Sequence, residues 1–375
     1  MPAENIERVR EVGSEVSLPR RMKRALRLWL MFALSVGLRA AVTPLRMRWG
    51  RAHYPTSPGL ARILRVAAPT RTRVAHAHGA NVIVARYCNR AHSEIVIPGA
   101  WMHGWLPPWY AKHWALIASH KADGTGPAEW RAAAAIERKT SWQWVARQDQ
   151  VAYLASCGYG KVLAIGLPIV YLPPSKVKAR PGSLLVMPPH GRKSYYDGDP
   201  EAERYADYIA SLQPLFSEIA VSITEGDYVD GSWWPAFKKR GISFLAGSDP
   251  FQRDPMSGVR DLLSRFEFVT TNSFGSHIAY AAFFGAKVSV AGSYAEFPRH
   301  ELARACGPRM FPELVDVEAE LISEASLRQH CPFLFLEPDH AECHRDWAGF
   351  ELGVQHKRQP QELCALFEQD LREDG

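Results

Sequence analysis

The residues best suited to bind an anion form one short turn, Thr271-Asn272-Ser273-Phe274-Gly275-Ser276, in a chain of 375 residues. A strand-like apolar stretch precedes the turn, and a helical pattern begins at about Gly275 and Ser276. The first amides of a helix have no partner within it and lie at the positive end of its dipole. Ser273 and Ser276 add hydroxyl donors, and Gly275 would let a phosphate approach the backbone. We therefore predict a phosphate-binding turn of the kind that nucleotide diphosphates use; the alternative is that serine only caps the helix.

A second candidate group, His190, follows the apolar stretch Leu184–Met187. Arg192 and Lys193 come next, so the loop places positive charge beside the imidazole. Ligands of open α/β sheets bind at the carboxyl ends of the strands, where this loop would lie. We expect His190 and Arg192 to bind a phosphate or stabilise a leaving group; a polar surface loop is the alternative.

A third candidate lies in Pro98–Trp105, which follows the apolar stretch Glu94–Ile97. The unperturbed pKa of histidine lies near neutrality, so His103 is a candidate general base for an acceptor hydroxyl. Trp101 and Trp105 are candidates for stacking on sugar rings. The alternative for His103 is packing or hydrogen bonding within the loop.

Two further patterns are weaker. The stretch Thr224–Asp227 follows a strand and could supply a carboxylate, although a solvated turn is the simpler interpretation. Zinc-binding residue types recur near the C-terminus, but their spacing matches no compact pair, so we predict no metal site; they are His330, Cys331, His340, Cys343 and His344. The sequence contains no GxxxxGK[ST], HExxH or GxSxG, and no GxGxxG after the first strand, which argues against a dinucleotide dehydrogenase. No cofactor is predicted.

From about residue 73, short apolar runs alternate with helical stretches. In the first half we predict strands at Val82–Ala85, Glu94–Pro98 and Val162–Gly166, with helices over residues 127–156. The second half has five predicted strands: Ser183–Met187, Ile219–Ile223, Ile242–Ala246, Phe268–Thr271 and Lys287–Ala291. Such alternation is typical of parallel sheets covered by helices, so we predict an α/β fold of two Rossmann-like domains whose sheets face an interdomain cleft.

The predicted domain boundary is a proline-rich, charged linker at residues 172–182. On this basis we predict that residues 1–50 form a basic amphipathic N-terminal helical segment. Residues 51–175 form an N-terminal, acceptor-binding Rossmann-like domain, and residues 183–345 form a C-terminal, nucleotide-sugar-binding one. Residues 346–375 form a C-terminal helix that packs back on the protein.

Basic residues are concentrated at the N-terminus. Residues 1–75 carry 15 Lys/Arg against four Glu, a net of +11, whereas the other 300 residues sum to −5. This uneven distribution argues against a nucleic-acid-binding protein. The apolar run Leu28–Leu38 has about eleven residues, well short of the ~20 needed to span a bilayer. The segment can lie on an anionic membrane surface or pack on the body of the protein.

Cellular location follows from the cysteines and the N-terminus. Six cysteines are scattered along the chain, and we find no secretory signal, so we predict reduced thiols. We expect a cytoplasmic protein, peripheral on the inner membrane if the basic segment binds lipid.

Three stretches resemble bacterial surface-polysaccharide biosynthesis proteins of the capsule and O-antigen type, which look like glycosyltransferases of the GT-B fold. They are Ile165–Tyr171, Ser183–His190 and Thr271–His277. Glu351–Gly353, Lys357 and Pro360–Leu363 resemble the C-terminal ends of these proteins, so the resemblance covers roughly residues 75–370.

Individual motifs extend the resemblance. His190 is similar to the histidine of the His-Pro motif of bacterial sialyltransferases, although Gly191 follows it here. Ser273 and Ser276 resemble the serine-containing phosphate-binding turn of those enzymes and of capsular Kdo transferases. Met102-His103-Gly104 resembles the His-Gly of CDP-glycerol-type polyol-phosphate transferases, in which the histidine acts as the base.

The resemblance implies a metal-independent glycosyltransferase. The nucleotide-sugar donor would lie against the C-terminal domain, and a glycan or lipid-linked acceptor against the N-terminal one. Three alternatives remain open: a CDP-polyol phosphotransferase, a nucleotide-sugar epimerase of the same fold, and a non-catalytic partner in polysaccharide assembly.

Overall fold

The computed structural model describes residues 79–91, 95, 97, 99–102, 104–110, 141–190, 198–248, 254–305 and 312–373. The chain divides into two compact units, and the described residues all belong to the unit that contains residues 71–375. The predicted basic segment 1–50, His103 and Arg192 lie outside the described residues.

A small parallel sheet forms the first half of the described chain. Its strands are β1 (Ala100–Trp101), β2 (Gln143–Val145) and β3 (Val162–Ala164), in that order across the sheet. The helices of this half are α1 (Ala80–Tyr87) and α2 (Gln148–Ser156), and a 3-10 helix spans Pro168–Tyr171.

Three predictions for this half were wrong. Val82–Ala85 lies in helix α1 rather than in a strand, because a short buried apolar run does not distinguish the two structures. Ile95 and Ile97 are buried but belong to no strand. Trp144, predicted as helical, is fully buried in β2, a strand too short to show alternation. The predicted strand at Val162–Gly166 is confirmed as β3.

The second half contains a larger sheet, and its five predicted strands are confirmed with small shifts of their ends. They are β4 (Arg180–Val186), β5 (Glu218–Ile223), β6 (Ser243–Ala246), β7 (Phe266–Thr271) and β8 (Lys287–Val290). All neighbouring pairs are parallel, and the order is β6-β5-β4-β7-β8. The fold is therefore α/β with two parallel sheets, of three and five strands.

Helices connect these strands and continue to the C-terminus. They are α3 (Pro200–Ser211), α4 (Glu225–Asp230), α5 (Trp234–Lys239), α6 (Pro255–Leu263), α7 (Ser276–Phe283), α8 (Arg299–Ala305), α9 (Pro312–Leu321), α10 (Glu324–His330), α11 (Arg345–Glu351) and α12 (Pro360–Glu373). Short 3-10 helices span Gln213–Leu215, Pro332–Leu334, Pro338–His340 and Val354–His356.

Both faces of the larger sheet are covered, because successive residues of a strand point to opposite sides. Leu184 and Val186 of β4 pack in one hydrophobic cluster with residues of α3 and α5. Leu185, between them, packs in another with residues of α6 and α7. This second cluster also includes Trp144 of β2, so one core continues from the larger sheet to the smaller.

The C-terminal helix packs against the first half. Phe367 of α12 makes edge-to-face contacts with Trp101 of β1 and Trp144 of β2. The Tyr87 hydroxyl of α1 donates a hydrogen bond to the carbonyl of Arg358, 3.0 Å away. No helix in the described part of the chain combines the length and the apolar character needed to cross a bilayer.

Gly353 marks a close approach of two backbones. Its φ is +79°, and a Cβ placed on it would lie 2.0 Å from the carbonyl oxygen of Ala146, which follows β2. The next contact along this seam is a 2.9 Å hydrogen bond from the Leu167 amide to the Leu352 carbonyl. The segment after α11 is thus held directly against the first sheet.

We predict that Gly353→Ala lowers the free energy of unfolding more than Gly231→Ala does. Gly231 has the same kind of backbone, with φ +80°, but its Cβ would meet nothing within 4 Å. The left-handed conformation should cost both variants about 1–2 kcal/mol. The collision should cost Gly353→Ala roughly 1–3 kcal/mol more, measurable by urea denaturation. Equal losses would mean that the segment after α11 moves freely away from Ala146.

Candidate functional site

The larger sheet has a topological switch point between β4 and β7. The chain leaves β4 for β5 on one side and leaves β7 for β8 on the other. In open α/β sheets ligands bind in the crevice at this point, outside the carboxyl ends of the strands. His190 follows β4, and the turn of residues 272–275 follows β7. The strand order therefore places two of the predicted features on neighbouring strands, at the carboxyl edge.

Helix α7 begins at this edge without a side-chain cap. Its N-cap is Gly275, which has no side chain to accept a hydrogen bond from the first amides. Four other helices of the second half, α3, α4, α6 and α10, are each capped by a side chain; the caps are Asp199, Thr224, Asp254 and Ser323. Neither serine of the turn caps α7, and of its first amides that of Ile278 donates to the Gly275 carbonyl at 3.1 Å. Helices α5 and α11 also lack a side-chain cap.

Ser273 is buried and holds the turn in place. Its hydroxyl donates a 3.2 Å hydrogen bond to the carbonyl of Ala295, in the loop after β8. Beside it, the Phe274 amide donates to the Tyr294 hydroxyl at 3.0 Å, and Tyr294 donates in turn to the Ile322 carbonyl at 2.7 Å. In this structure Ser273 therefore shapes the turn through protein contacts.

Ser276 connects the turn to the first half. Its Oγ accepts a 2.9 Å hydrogen bond from the backbone amide of Trp105, and it also hydrogen-bonds the side chain of Tyr280. A Cβ placed on Gly104 would lie 3.2 Å from the same Oγ. The loop after β1, which contains the predicted base His103, thus passes directly beside the start of α7, although His103 itself is not among the described residues.

His277, the second residue of α7, lies beside these groups. A Cβ placed on Gly275 would lie 2.5 Å from Cε1 of the imidazole. Burial lowers the pKa of His277 to about 3, and the positive charge that His190 can carry lowers it too. His190 follows β4 and His277 lies in the helix that follows β7, so the two histidines belong to connections after neighbouring strands. His277 was not predicted from the sequence as a site residue. The pattern that could have indicated it is a histidine in the first turn of a helix that follows a strand.

The two predicted sugar-stacking residues lie in the core. Trp101 is 7% exposed and Trp105 is 3% exposed. The Trp101 indole donates a 2.8 Å hydrogen bond to the Gly166 carbonyl, and the Trp105 ring stacks on Phe274 at 5.2 Å. In this structure both rings pack against protein. The stacking of Trp105 on Phe274 holds the loop after β1 against the turn of residues 271–276.

The indole nitrogen of Trp105 is held by a buried ion pair between Arg147 and Glu351. This nitrogen donates a 2.9 Å hydrogen bond to Oε2 of Glu351, at the end of α11. Arg147, directly after β2, binds the same oxygen at 2.9 Å and also binds both carboxylate oxygens of Asp149 at 3.0 Å. Burial raises the pKa of Glu351, and Arg147 and Trp105 oppose that rise. Sequence spacing cannot reveal this pair, since Arg147 and Glu351 are 204 residues apart.

The weaker sequence patterns have structural roles. Thr224 caps α4, and its hydroxyl donates to the buried carboxylate of Asp227 at 2.5 Å. Among the described residues, no three His, Cys, Asp or Glu side chains are grouped so that they could hold a metal ion. Cys331 is buried, and Cys343 is exposed.

Comparison with known proteins does not name a family. No protein-family profile matches the chain, and no curated protein matches it significantly. The fold defines the class as an α/β protein with two parallel sheets, the larger of which has a topological switch point. Its function must be argued from the residues at that switch point.

We predict that Arg147→Met destabilises the protein by about 3–5 kcal/mol at neutral pH, because it leaves the Glu351 carboxylate buried without its cation. The control, Arg90→Met, removes the half-exposed pair with Glu368 and should cost at most about 1 kcal/mol.

The deficit of Arg147→Met should shrink on acidification. Burial raises the pKa of Glu351 and Arg147 lowers it, so removing Arg147 raises the folded-state pKa further. The folded variant then binds the proton more tightly than the folded wild type, and its deficit shrinks as pH falls through that raised pKa. Urea denaturation between pH 7 and pH 5 measures this. A deficit independent of pH would mean that lost packing, not the buried charge, is responsible.

Proposed function

We propose that the protein is a glycosyltransferase that moves a sugar from a nucleotide-sugar donor to a glycan or lipid-linked acceptor in bacterial surface-polysaccharide biosynthesis. The two sheets would belong to two Rossmann-like domains in a GT-B-like arrangement, with the substrates in the cleft between them. The observation that carries this proposal is the start of α7 at the switch point, where Gly275 is its N-cap and His190 follows the neighbouring strand β4.

The donor phosphates would bind at this helix start. Negative charge that develops on a leaving nucleotide is stabilised best by fixed dipoles aimed at it. The first-turn amides of α7 supply such dipoles, and Ser276 and Gly275 line the same helix start. His190 adds a cationic or hydrogen-bonding group from the neighbouring strand, and Arg192 follows it in the sequence. These groups, rather than a metal, neutralise the phosphate in the proposed mechanism.

The acceptor would approach from the loop after β1. A bond forms between the acceptor oxygen and the anomeric carbon, the bond from that carbon to the phosphate oxygen breaks, and its electron pair leaves with the nucleotide. The hydroxyl proton passes to His103, the proposed base. Gly104 and Trp105 contact Ser276, which supports a position for this loop beside the donor turn.

The first test is nucleotide binding. We expect one of UDP, GDP, CDP and CMP to raise the melting temperature by about 3–4 °C at about 100 times its Kd, since that excess stabilises by about 2.7 kcal/mol. His190→Ala should weaken binding about tenfold or more by removing a hydrogen bond to a charged ligand. His340→Ala, at a side chain that is 76% exposed, is the control. No shift with any of the nucleotides would favour a non-catalytic assembly partner.

The products of the bound donor distinguish the enzyme classes. A glycosyltransferase releases the nucleotide and leaves the sugar on the acceptor, whereas a polyol phosphotransferase releases CMP and transfers a polyol phosphate. An epimerase converts the sugar without an acceptor product. Mass spectrometry of these products therefore decides between the proposal and the two other enzyme classes.

We propose that the basic segment 1–50 holds the protein on the cytoplasmic face of the inner membrane, where a lipid-linked acceptor would be found. Arginine and lysine near an anionic bilayer contribute about 1 kcal/mol each. Removal of residues 1–50 should abolish binding to vesicles that contain anionic lipid, in a sedimentation assay, and leave nucleotide binding intact. Equal sedimentation of both proteins would contradict this role.

A further inference from the structure

Two buried imidazole nitrogens in the described part of the chain have no hydrogen-bond partner: Nε2 of His277 and Nε2 of His344. A buried polar atom without a partner destabilises the folded state, so each one requires a specific explanation. The two histidines lie in different surroundings, and only one of them is at the proposed site.

The imidazole of His277 is folded back over the amino-terminal end of α7. A Cβ placed on Gly275 would lie 2.5 Å from Cε1 and 2.6 Å from Nδ1, but 3.7 Å from Nε2. The Cε1–Nδ1 edge therefore rests against Gly275, and Nε2 is the ring nitrogen farther from it. Because Gly275 is the N-cap of α7, the ring lies beside the first-turn amides.

The ring is uncharged at neutral pH. Its burial, with a contribution from His190, lowers the pKa of His277 to about 3. A neutral imidazole carries its hydrogen on one nitrogen only, so Nε2 can still donate a hydrogen bond when Nδ1 is unprotonated.

We propose that His277 contacts the phosphate of the nucleotide donor through a hydrogen bond donated by Nε2, alongside the first-turn amides of α7. The inference rests on the proposed function, since it adds a residue to the same donor site. It also gives Gly275 a second role: a side chain at this position would collide with the ring that makes the contact.

His344 supplies a matched control at the other edge of the sheet. Glu342 forms an antiparallel bridge with Val288 near the amino end of β8. Arg345 lies against Gly285, which precedes that strand. The imidazole of His344 packs on Phe333, with ring centroids 4.4 Å apart. Replacing either histidine with phenylalanine removes an unpartnered nitrogen and keeps a flat ring.

The test compares His277→Phe and His344→Phe by calorimetric titration with UDP, GDP, CDP, CMP and pyrophosphate. We expect His277→Phe to weaken the best-binding nucleotide about tenfold or more, as is usual for a lost hydrogen bond to a charged group. Its melting temperature without ligand should equal or exceed that of the wild type, because a buried unpaired nitrogen has been removed. His344→Phe should bind within about twofold of the wild type.

Each outcome decides a different point. Unchanged affinity in His277→Phe, while the wild type binds, overturns the contact and leaves the proposed function standing. Equal weakening in both variants also overturns it, since the effect is then general. If the wild type binds none of the five probes, the contact and the proposed function both fail. Should His277→Phe not fold, the ¹⁵N imidazole signals of wild-type His277 must still shift when nucleotide is added; unmoved signals overturn the contact.

Discussion

The hydrogen bond from the backbone amide of Trp105 to Oγ of Ser276 joins the carboxyl edges of the two sheets. Trp105 lies in the loop after β1, and Ser276 begins the helix after β7. The bond uses a backbone donor, so the position of the loop, and not only of one side chain, depends on it. A Cβ at Gly104 would lie 3.2 Å from the same oxygen, closer than an ordinary van der Waals contact. Any chemistry that uses both halves requires this contact to hold.

The contact is rigid because Trp105 is anchored at its other end. Its ring is stacked on Phe274, and its indole nitrogen donates to Glu351. Glu351 is itself held by Arg147, so a buried ion pair determines where the tryptophan lies. Such a pair adds little net stability, because desolvation opposes the Coulomb attraction. It does impose one geometry, since any displacement would leave a charge unpaired in the interior.

How much of the fold and of the candidate site could be predicted depends on the length of the sequence pattern that marks each element. The five strands of the larger sheet were predictable because each apolar run is long enough to be recognised as a strand and is separated from the next by a helical stretch. The smaller sheet was not, because β1 has two residues and β2 three, and helix α1 has the same buried β-branched composition as a strand. The position of the turn of residues 271–276, between a strand and a helix, was predictable. The partners of Ser273 and Ser276 were not, since they depend on loops 22 and 171 residues away.

Protein partners hold most polar groups of the turn of residues 271–276, although Oδ1 of Asn272 is buried without one. Ser273, the Phe274 amide and the Asn272 side-chain amide group all donate hydrogen bonds to fixed protein acceptors. Here the first amides of α7 and Nε2 of His277 are without side-chain partners. With glycine as the N-cap, lacking a side-chain cap costs about a few tenths of a kcal/mol. Unpartnered polar groups are often found at functional sites, and the start of α7 is also at the switch point, where ligands of open α/β sheets bind.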